Sequence, residues 1–430
     1  GVWQGGHHPS YSTNPLASYT AGLPFTAACT TGTNAITFKA NFGQEPFKFP
    51  PPDGFQPLSN AAAIPEKVFA RPDQFIGVTT YTGNGADRRI ETGMKPDMVW
   101  IKSRNHATWH QINDTIRGAG KRLFPNDGAA QDTATDNLTG FYDRGFLLGA
   151  DANASGTNVD TKTYVAWSWK AGGNKNTFNV DDVGYATAGA AGLDGGDLTI
   201  TGASVGTKNG FSIIKYTGNN STGQTVKHGL TQKPDFIIVK NTAQSYNWMV
   251  YHKSAGAGYY GILDLSSSFL SDADIWADTE PTNSQFYVSV HNSPAGYSNG
   301  PDGTFISYIW HDVPGLQKFG SFEATGNTDG PFVELGFTPA LLWCKSADSN
   351  SRNWMIFDST RSPTNPDKKY VIADDSATEG NYNACDFLSN GFKVRATSVQ
   401  ELNITGETYI YCAWAEVPTI NLFGGQSNAR

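Results

Sequence analysis

The sequence predicts an all-β protein made of three tandem β-sandwich-like modules, and three observations carry that expectation. Aromatic residues make up 13% of the 430 residues and charged residues only 16%, beside 47 glycines and 22 prolines. Such a composition suits short strands joined by tight turns around thin aromatic cores, and lacks the Ala, Leu, Glu and Lys that long helices draw on. The stretch KPDMVWIK at 95–102 returns as KPDFIIVK at 233–240. Around it a series of blocks recurs three times in one order, the signature of a repeat architecture.

The first block is FIGVTTYTGNG (75–85), matched by FSIIKYTGNNS (211–221) and more loosely by FGSFEATGNTD (319–329). It predicts a strand ending in a hairpin turn, with Gly supplying a positive φ and Asn tolerating one. IETGMKPDMVWIK, VKHGLTQKPDFIIVK and VELGFTPALLWCK come next. Proline cannot donate to a ladder, so Pro96, Pro234 and Pro339 are placed before or at the first residue of a strand. The continuous apolar run after each proline fits a strand buried on both faces. The lysine closing each run (Lys102, Lys240, Lys345) is expected to lay its stem on the sheet and keep its ammonium in water.

TWHQIN (108–113), NWMVYH (247–252) and NWMIFD (353–358) form the third block and align Trp109, Trp248 and Trp354 in one slot. The fourth block, DRGFLLG, NSQFYVS and SNGFKVR, reads as another strand opening at a turn. Each module closes on a tryptophan strand, YVAWSWK, ISYIWHD or YIYCAWAE, with Trp169, Trp310 and Trp414 in a common slot. Six to eight short strands per module point to a sandwich or a barrel-like relative, with the tryptophans in its core.

The modules occupy 71–173, 211–317 and 318–418, about 100 residues each. Residues 1–70 form an N-terminal extended segment, 174–210 a Gly/Ala-rich connector with one hairpin, and 419–430 an extended tail after Pro418. The start, GVWQGGHHPS, lacks the charged-then-apolar pattern of a signal peptide and has no initiator Met, so the chain is expected to be processed or part of something longer. A net charge of −8 offers phosphates no basic stripe, which argues against nucleic acid as a partner. The absence of any run of 18 apolar residues argues against membrane insertion.

Four cysteines (Cys29, Cys344, Cys385, Cys412) with no CxxC pattern indicate neither a disulfide scaffold nor a common zinc or redox site, and suit a reducing cytoplasm. Cys344 takes the slot of Ile101 and Val239, and Cys412 that of Trp167 and Tyr308, so both read as small core hydrophobes. A Cys344–Cys412 bridge stays open at this level.

Chemistry-bearing patterns are sparse. GASVG at 202–206 matches GxSxG around Ser204, but no helix follows to form a nucleophile elbow. Asp151, Asn153 and Ser155 alternate before Gly156 as in a calcium loop, yet Lys162 stands where a bidentate Glu is needed, so a polar turn is the expectation. His106 and His110 are four apart, which on a strand puts them on one face, but no third zinc ligand is evident. His7 and His8 sit in the N-terminal segment and carry little alone. The pairs Asp181–Asp182 and Asp374–Asp375 are expected in solvated turns and not as a glycosidase pair. Tyr246, Tyr259, Tyr260, Trp276 and Tyr297 are placed in loops of the second module, where aromatic rings can stack on sugars, anchor an interface or pack internally. No catalytic, metal or cofactor residue is assigned.

GFSIIKYTGN…HGLTQKPDFIIVKN…WMVYH and FGSFEATGNTDGPFVELGF…NWMIFDSTRSP…DFLSNGFKVR…YIYCAWAE resemble modules that recur in virion proteins of tailed bacteriophages, including those of cyanobacteria. NFGQEPFKFPPPDGFQPLS resembles the end of a SPRY-like sandwich that often precedes them, although most of such a sandwich is missing before residue 30. The resemblance covers nearly the whole chain. It implies a structural virion protein, made in the host cytoplasm and commonly of tail-fibre type. Its partners would be copies of itself, other virion proteins and a host surface glycan, and the resemblance brings no catalytic residues. Repeated sandwiches would form a stiff rod whose loops make contacts. A capsid-decorating protein and a glycan-degrading tail enzyme are the alternatives.

Overall fold

A computed structural model of the chain describes residues 69 and 71–419, apart from 152, 154, 155, 291–297, 302 and 398–400. His7, His8, Cys29, the SPRY-like stretch, Ser155, Tyr297 and the tail from 420 onward lie outside the described residues. The chain divides into two units, Gly1–Lys67 and Val68–Arg430. The second unit is all-β, with a short 3-10 turn at Pro72–Gln74.

One strand order occurs three times. In the first module Ile76–Thr82 pairs with Thr163–Trp169, which pairs with Met98–Ser103, which pairs with Gln111–Asp114. The second runs Phe211–Thr217, Thr304–Trp310, Phe236–Asn241, Met249–His252. The third runs Gln317–Glu323, Thr408–Pro418, Phe337–Ser346, Met355–Asp358. The tryptophan strand closing each module is thus inserted between two strands formed early in that module. A smaller layer covers the outer face of each sheet: Arg88–Glu91 against Gly145–Leu148, Gln224–Lys227 against Gln285–Val288, and Phe332–Glu334 against Gly391–Val394.

Alternation along the strands divides the core. Val99 and Ile101 turn outward into a core private to the first module, with Tyr81, Phe146 and Tyr164. Trp100 turns the other way, into a cluster that also holds Ile238 and Tyr308 of the second module and Trp343 and Cys412 of the third. Every residue of Met98–Ser103 is buried, as a strand covered on both faces requires. Trp169, Trp310 and Trp414 meet pairwise, with ring centroids 6.3, 5.6 and 6.0 Å apart and steep interplanar angles. The modules therefore enclose one common core and do not follow one another as separate beads of a rod. A tryptophan removes ~150–250 Å² from water when buried, about 4–6 kcal/mol gross at ~25 cal/mol per Å². Three such rings give each inner sheet face a strong reason to be covered.

Several local expectations are corrected. The YTGN block is not a hairpin turn, because Ile76–Thr82 pairs with the last strand of its module and not with the next one. There the chain steps from the sheet to the outer layer. Gly83 and Gly218 do not have a positive φ. They are needed for close approach, since a Cβ on Gly83 would lie 2.1 Å from the Val159 carbonyl oxygen and one on Gly218 2.6 Å from that of Gly300. Pro339 lies inside Phe337–Ser346, at a register shift that spares the ladder its missing amide. The connector 174–210 does hold a hairpin, Phe178–Val180 with Val183–Tyr185. Its later part, Ile200–Gly206, also extends the second sheet by pairing with Phe211–Thr217.

Trp109 does not share a slot with Trp248 and Trp354. Ile112, Val250 and Ile356 pair with Trp100, Ile238 and Trp343 respectively, so the residue two places earlier is His110, Trp248 or Trp354. His110 is buried and Trp109 is 46% exposed. A slip of one residue in a period-two element reverses the face. Cys344 and Cys412 do fill their apolar slots, but they face opposite sides of the sheet, one in the outer core of the third module and one in the shared core, and both are free thiols.

Candidate functional site: a charged seam between the first and third modules

The three modules grip one another in a fixed direction. Trp248 Nε1 of the second donates to the carbonyls of Phe124 (2.9 Å) and Asp127 (3.2 Å) in the first. Trp354 Nε1 of the third donates to the Ile262 carbonyl in the second at 2.9 Å. His110 of the first closes the ring, with Nε2 3.1 Å from the Asp375 carbonyl oxygen of the third. Trp100 Nε1 donates to His110 Nδ1 at 2.9 Å, so Nε2 is the nitrogen that carries the hydrogen. Burial holds the His110 pKa well below its ordinary value.

The lysines behind these rings correct another expectation. Lys102, Lys240 and Lys345 are buried to the ammonium. Lys102 Nζ donates to the carbonyls of Ser103 (3.0 Å) and Ser376 (3.1 Å), the latter across the seam. Lys240 Nζ donates to those of Tyr246 (2.8 Å), Asn241 (2.9 Å) and Gly128 (3.1 Å), the last in the first module. Lys345 Nζ donates to the Ser346 carbonyl at 2.8 Å. Burial lowers each pKa to about 8. Carbonyl dipoles stand in for water around a charge that the apolar run left no route to solvent.

The junctions differ at one position. Main-chain bonds from Gln131 to Thr242 (2.9 Å), Phe269 to Ala347 (2.9 Å) and Glu379 to Arg104 (2.8 Å) mark equivalent places between neighbouring modules. The first two carry uncharged side chains, while the third carries an ion pair. Arg104 Nε and Nη2 donate to Glu379 at 2.8 and 3.2 Å. Arg361 Nη1 stands 3.5 Å from the same carboxylate and Lys369 Nζ 3.4 Å. Burial works against ionisation of Glu379, but the three cations overcome it and its pKa is lowered. Arg361 also binds Asp358 at 2.6 Å, and Asp358 accepts a hydrogen bond from Trp167 Nε1 across the seam at 3.0 Å. A cleft of about 370 Å³ opens here, lined by Arg104, Asn105, Thr163, Thr378 and Glu379.

The residues singled out by sequence go elsewhere, apart from His110 and Asp375, which meet across the seam. Ser204 lies within a strand, donating to the Gly173 carbonyl at 2.8 Å and accepting from the Gly172 amide at 2.9 Å. Asp151 turns back on its own loop to accept from the amide and hydroxyl of Thr157, and Asn153 points to solvent. His106 and His110 lie in the loop before Gln111–Asp114 and not on a strand, and both nitrogens of His110 are engaged. No group of three or more His, Cys, Asp or Glu among the described residues could hold a metal ion.

Asp181 and Asp182 form the two-residue hairpin turn, with φ of 48° and 65°. Of the Asp374–Asp375 pair, Asp375 is exposed as expected, whereas Asp374 is half-buried. Asp374 accepts from the Trp354 amide at 2.8 Å, and burial raises its pKa to about 7. Trp276 does lie in a loop, where it packs internally as a core residue against Tyr251, with centroids 6.0 Å apart. Tyr259 and Tyr260 lie not in a loop but on the strand Tyr259–Ile262, Tyr259 exposed and Tyr260 half-buried against the second outer core, and Tyr246 is half-buried.

Sequence reasoning missed Arg104, Glu379 and a buried asparagine in each module. Asn158, Asn299 and Asn403 accept from the amides of Asn84 (3.1 Å), Asn219 (2.9 Å) and Thr325 (3.0 Å), which fixes the step at each YTGN-type block. Their signal was present: each stands six residues before an aromatic of the tryptophan strand, Tyr164, Phe305 or Tyr409. Residues 71–418 match the family model described as "Domain of unknown function (DUF7483)", a span reaching across all three modules. No curated protein matches the chain.

Proposed function

The chain belongs to the DUF7483 family, and we propose that it is a structural protein of a tailed-bacteriophage virion, of tail-fibre or tail-associated type, acting in assembly and host attachment and not in catalysis. One observation carries this reading. The groups with chemical potential (His110, Ser204 and the three buried lysines) are bound to main-chain atoms inside the scaffold, whereas Trp109, Tyr259 and Phe332 stand 46, 47 and 46% exposed. Side chains of that kind give contact area at small entropic cost. Together with the resemblance of the repeated blocks, this favours a rigid body that presents its surface to other virion proteins, to copies of itself or to a host glycan.

The test is immunogold labelling of particles of the encoding phage, with mass spectrometry of the purified particles. Label on the tail is the expected result. Label on the head would replace attachment with capsid decoration, and absence from particles would overturn the virion assignment. Release of reducing sugar ends from host polysaccharide would overturn the non-catalytic part.

A further inference from the structure

We propose that the seam cleft between the first and third modules binds the carboxylate of an acidic sugar residue, with Arg104 as its anchor. This deepens the attachment reading and rests on it for the source of the saccharide. Charge at the seam is out of balance. Glu379 faces three cations, Arg104, Arg361 and Lys369. A carboxylate needs one. Arg361 is fully buried and held by Asp358, whereas the Arg104 side chain is 25% exposed and lines the cleft. Arg104 can therefore turn to an incoming anion while Glu379 keeps two positive neighbours. Exchange of partners avoids the penalty that normally follows when a buried ion pair is broken.

The guanidinium fork suits a carboxylate, which it can engage through two parallel hydrogen bonds. The other lining groups suit hydroxyls. Asn105, Thr163 and Thr378 offer an amide and two side-chain hydroxyls, and no apolar side chain lines the cleft. Part of this set is already positioned, because Asn105 Oδ1 accepts from the Thr163 amide at 2.9 Å. At the equivalent places of the other two junctions stand Thr242 with Gln131 and Ala347 with Phe269, which carry no charge for an anion. The site is a departure from the repeat, confined to one of its three positions.

Glucuronate, glucose and acetate serve as probes in saturation-transfer NMR titrations of the full chain. Glucuronate is expected to bind, glucose to bind at least tenfold more weakly, and acetate to bind more weakly than glucuronate because it leaves the hydroxyl contacts unmade. Arg104→Gln should weaken glucuronate at least tenfold, and Thr378→Val, which leaves every charge in place, severalfold. Glu379→Gln should preserve or strengthen binding by releasing Arg104. Absence of glucuronate transfer, or equal binding to Arg104→Gln with its unfolding transition intact, overturns the site. Acetate as strong as glucuronate overturns the saccharide. Failure here would leave the virion assignment standing, since particle labelling tests that separately.

Discussion

Truncating one ring of the central triad separates a shared core from three independent ones. Trp414 is fully buried, with ring centroids 5.1 Å from Trp343, 5.6 Å from Trp169, 6.0 Å from Trp310 and 5.7 Å from Phe319. Trp414→Ala removes an indole from among four rings contributed by all three modules, none of which can close the gap without leaving its own strand register. Large-to-small changes of this kind cost about 3–5 kcal/mol, the upper end applying where the surroundings cannot collapse. The assay is guanidinium unfolding followed by far-UV circular dichroism, and independently by tryptophan fluorescence. The expectation is one transition, displaced as a whole to lower denaturant, with Trp169→Ala and Trp310→Ala displaced similarly. Paired truncations should fall short of additive, because the rings touch. If about a third of the amplitude moved and the rest kept the parent midpoint, each module would carry its own stability and the common core would be refuted.

Other consequences arise from the same contacts. Lys102, Lys240 and Lys345 have folded pKa values of about 8 against an ordinary 10.5. Between those values the unfolded chain binds more protons, so stability should rise with pH. The gain from pH 8 to 9 is roughly 1 kcal/mol per lysine, below the range where buried tyrosines act in the opposite sense, and a urea midpoint that fell over this interval would contradict it. Glu379→Ala should cost about 2 kcal/mol by leaving Arg104 without its carboxylate, Arg361 being still held by Asp358, and the double variant with Arg104→Ala should cost less than the sum in a thermodynamic cycle. Asn299→Ala removes bonds to Asn219 and Ser221 at 2.7–2.9 Å. It should lower stability by about 2–3 kcal/mol and speed hydrogen exchange at the Asn219 amide, and unchanged exchange there would count against the role given to this residue.

The repeat was legible because packing constrains residue type at fixed intervals: the tryptophan strand, the proline before a buried run and the two apolar cysteine slots all stand where their neighbours' chemistry demands. What stayed hidden required pairing. Sequence order could not show that the last strand of each module lies beside the first, so YTGN looked like a hairpin when it is a step between layers. Nor could it show a second buried face beyond each sheet, which is why the lysines were expected in water. Trp109 misled because letter identity outweighed alternation. A Trp beside a His matched a Trp beside a Met, yet the strand register places the His in the core. Arg104 and Glu379 are 275 residues apart, and no local pattern joins them.

The location of the charged cluster reflects how a linear chain makes a ring. The first and second modules are linked by the connector 174–210, and the second and third by the few residues between Trp310 and Gln317. The first and third share no such link, so closure of the common core depends there on non-covalent contacts alone. A buried Asp–Arg pair meets a neighbour's tryptophan strand both here, Asp358–Arg361 with Trp167, and at the linked first junction, Asp114–Arg117 with Tyr308, and what the unlinked junction adds is Arg104 and Lys369 around Glu379. Closure requires Glu379 to stay compensated and Trp167 to keep Asp358, and both conditions are met by the buried Arg361. Arg104, partly exposed at the mouth, is thereby released from sole responsibility for the seam. Arg104 and Lys369, added to that shared pair, are what make one cation available for a ligand, and the linked junctions carry Gln131–Thr242 and Phe269–Ala347 in place of Glu379–Arg104.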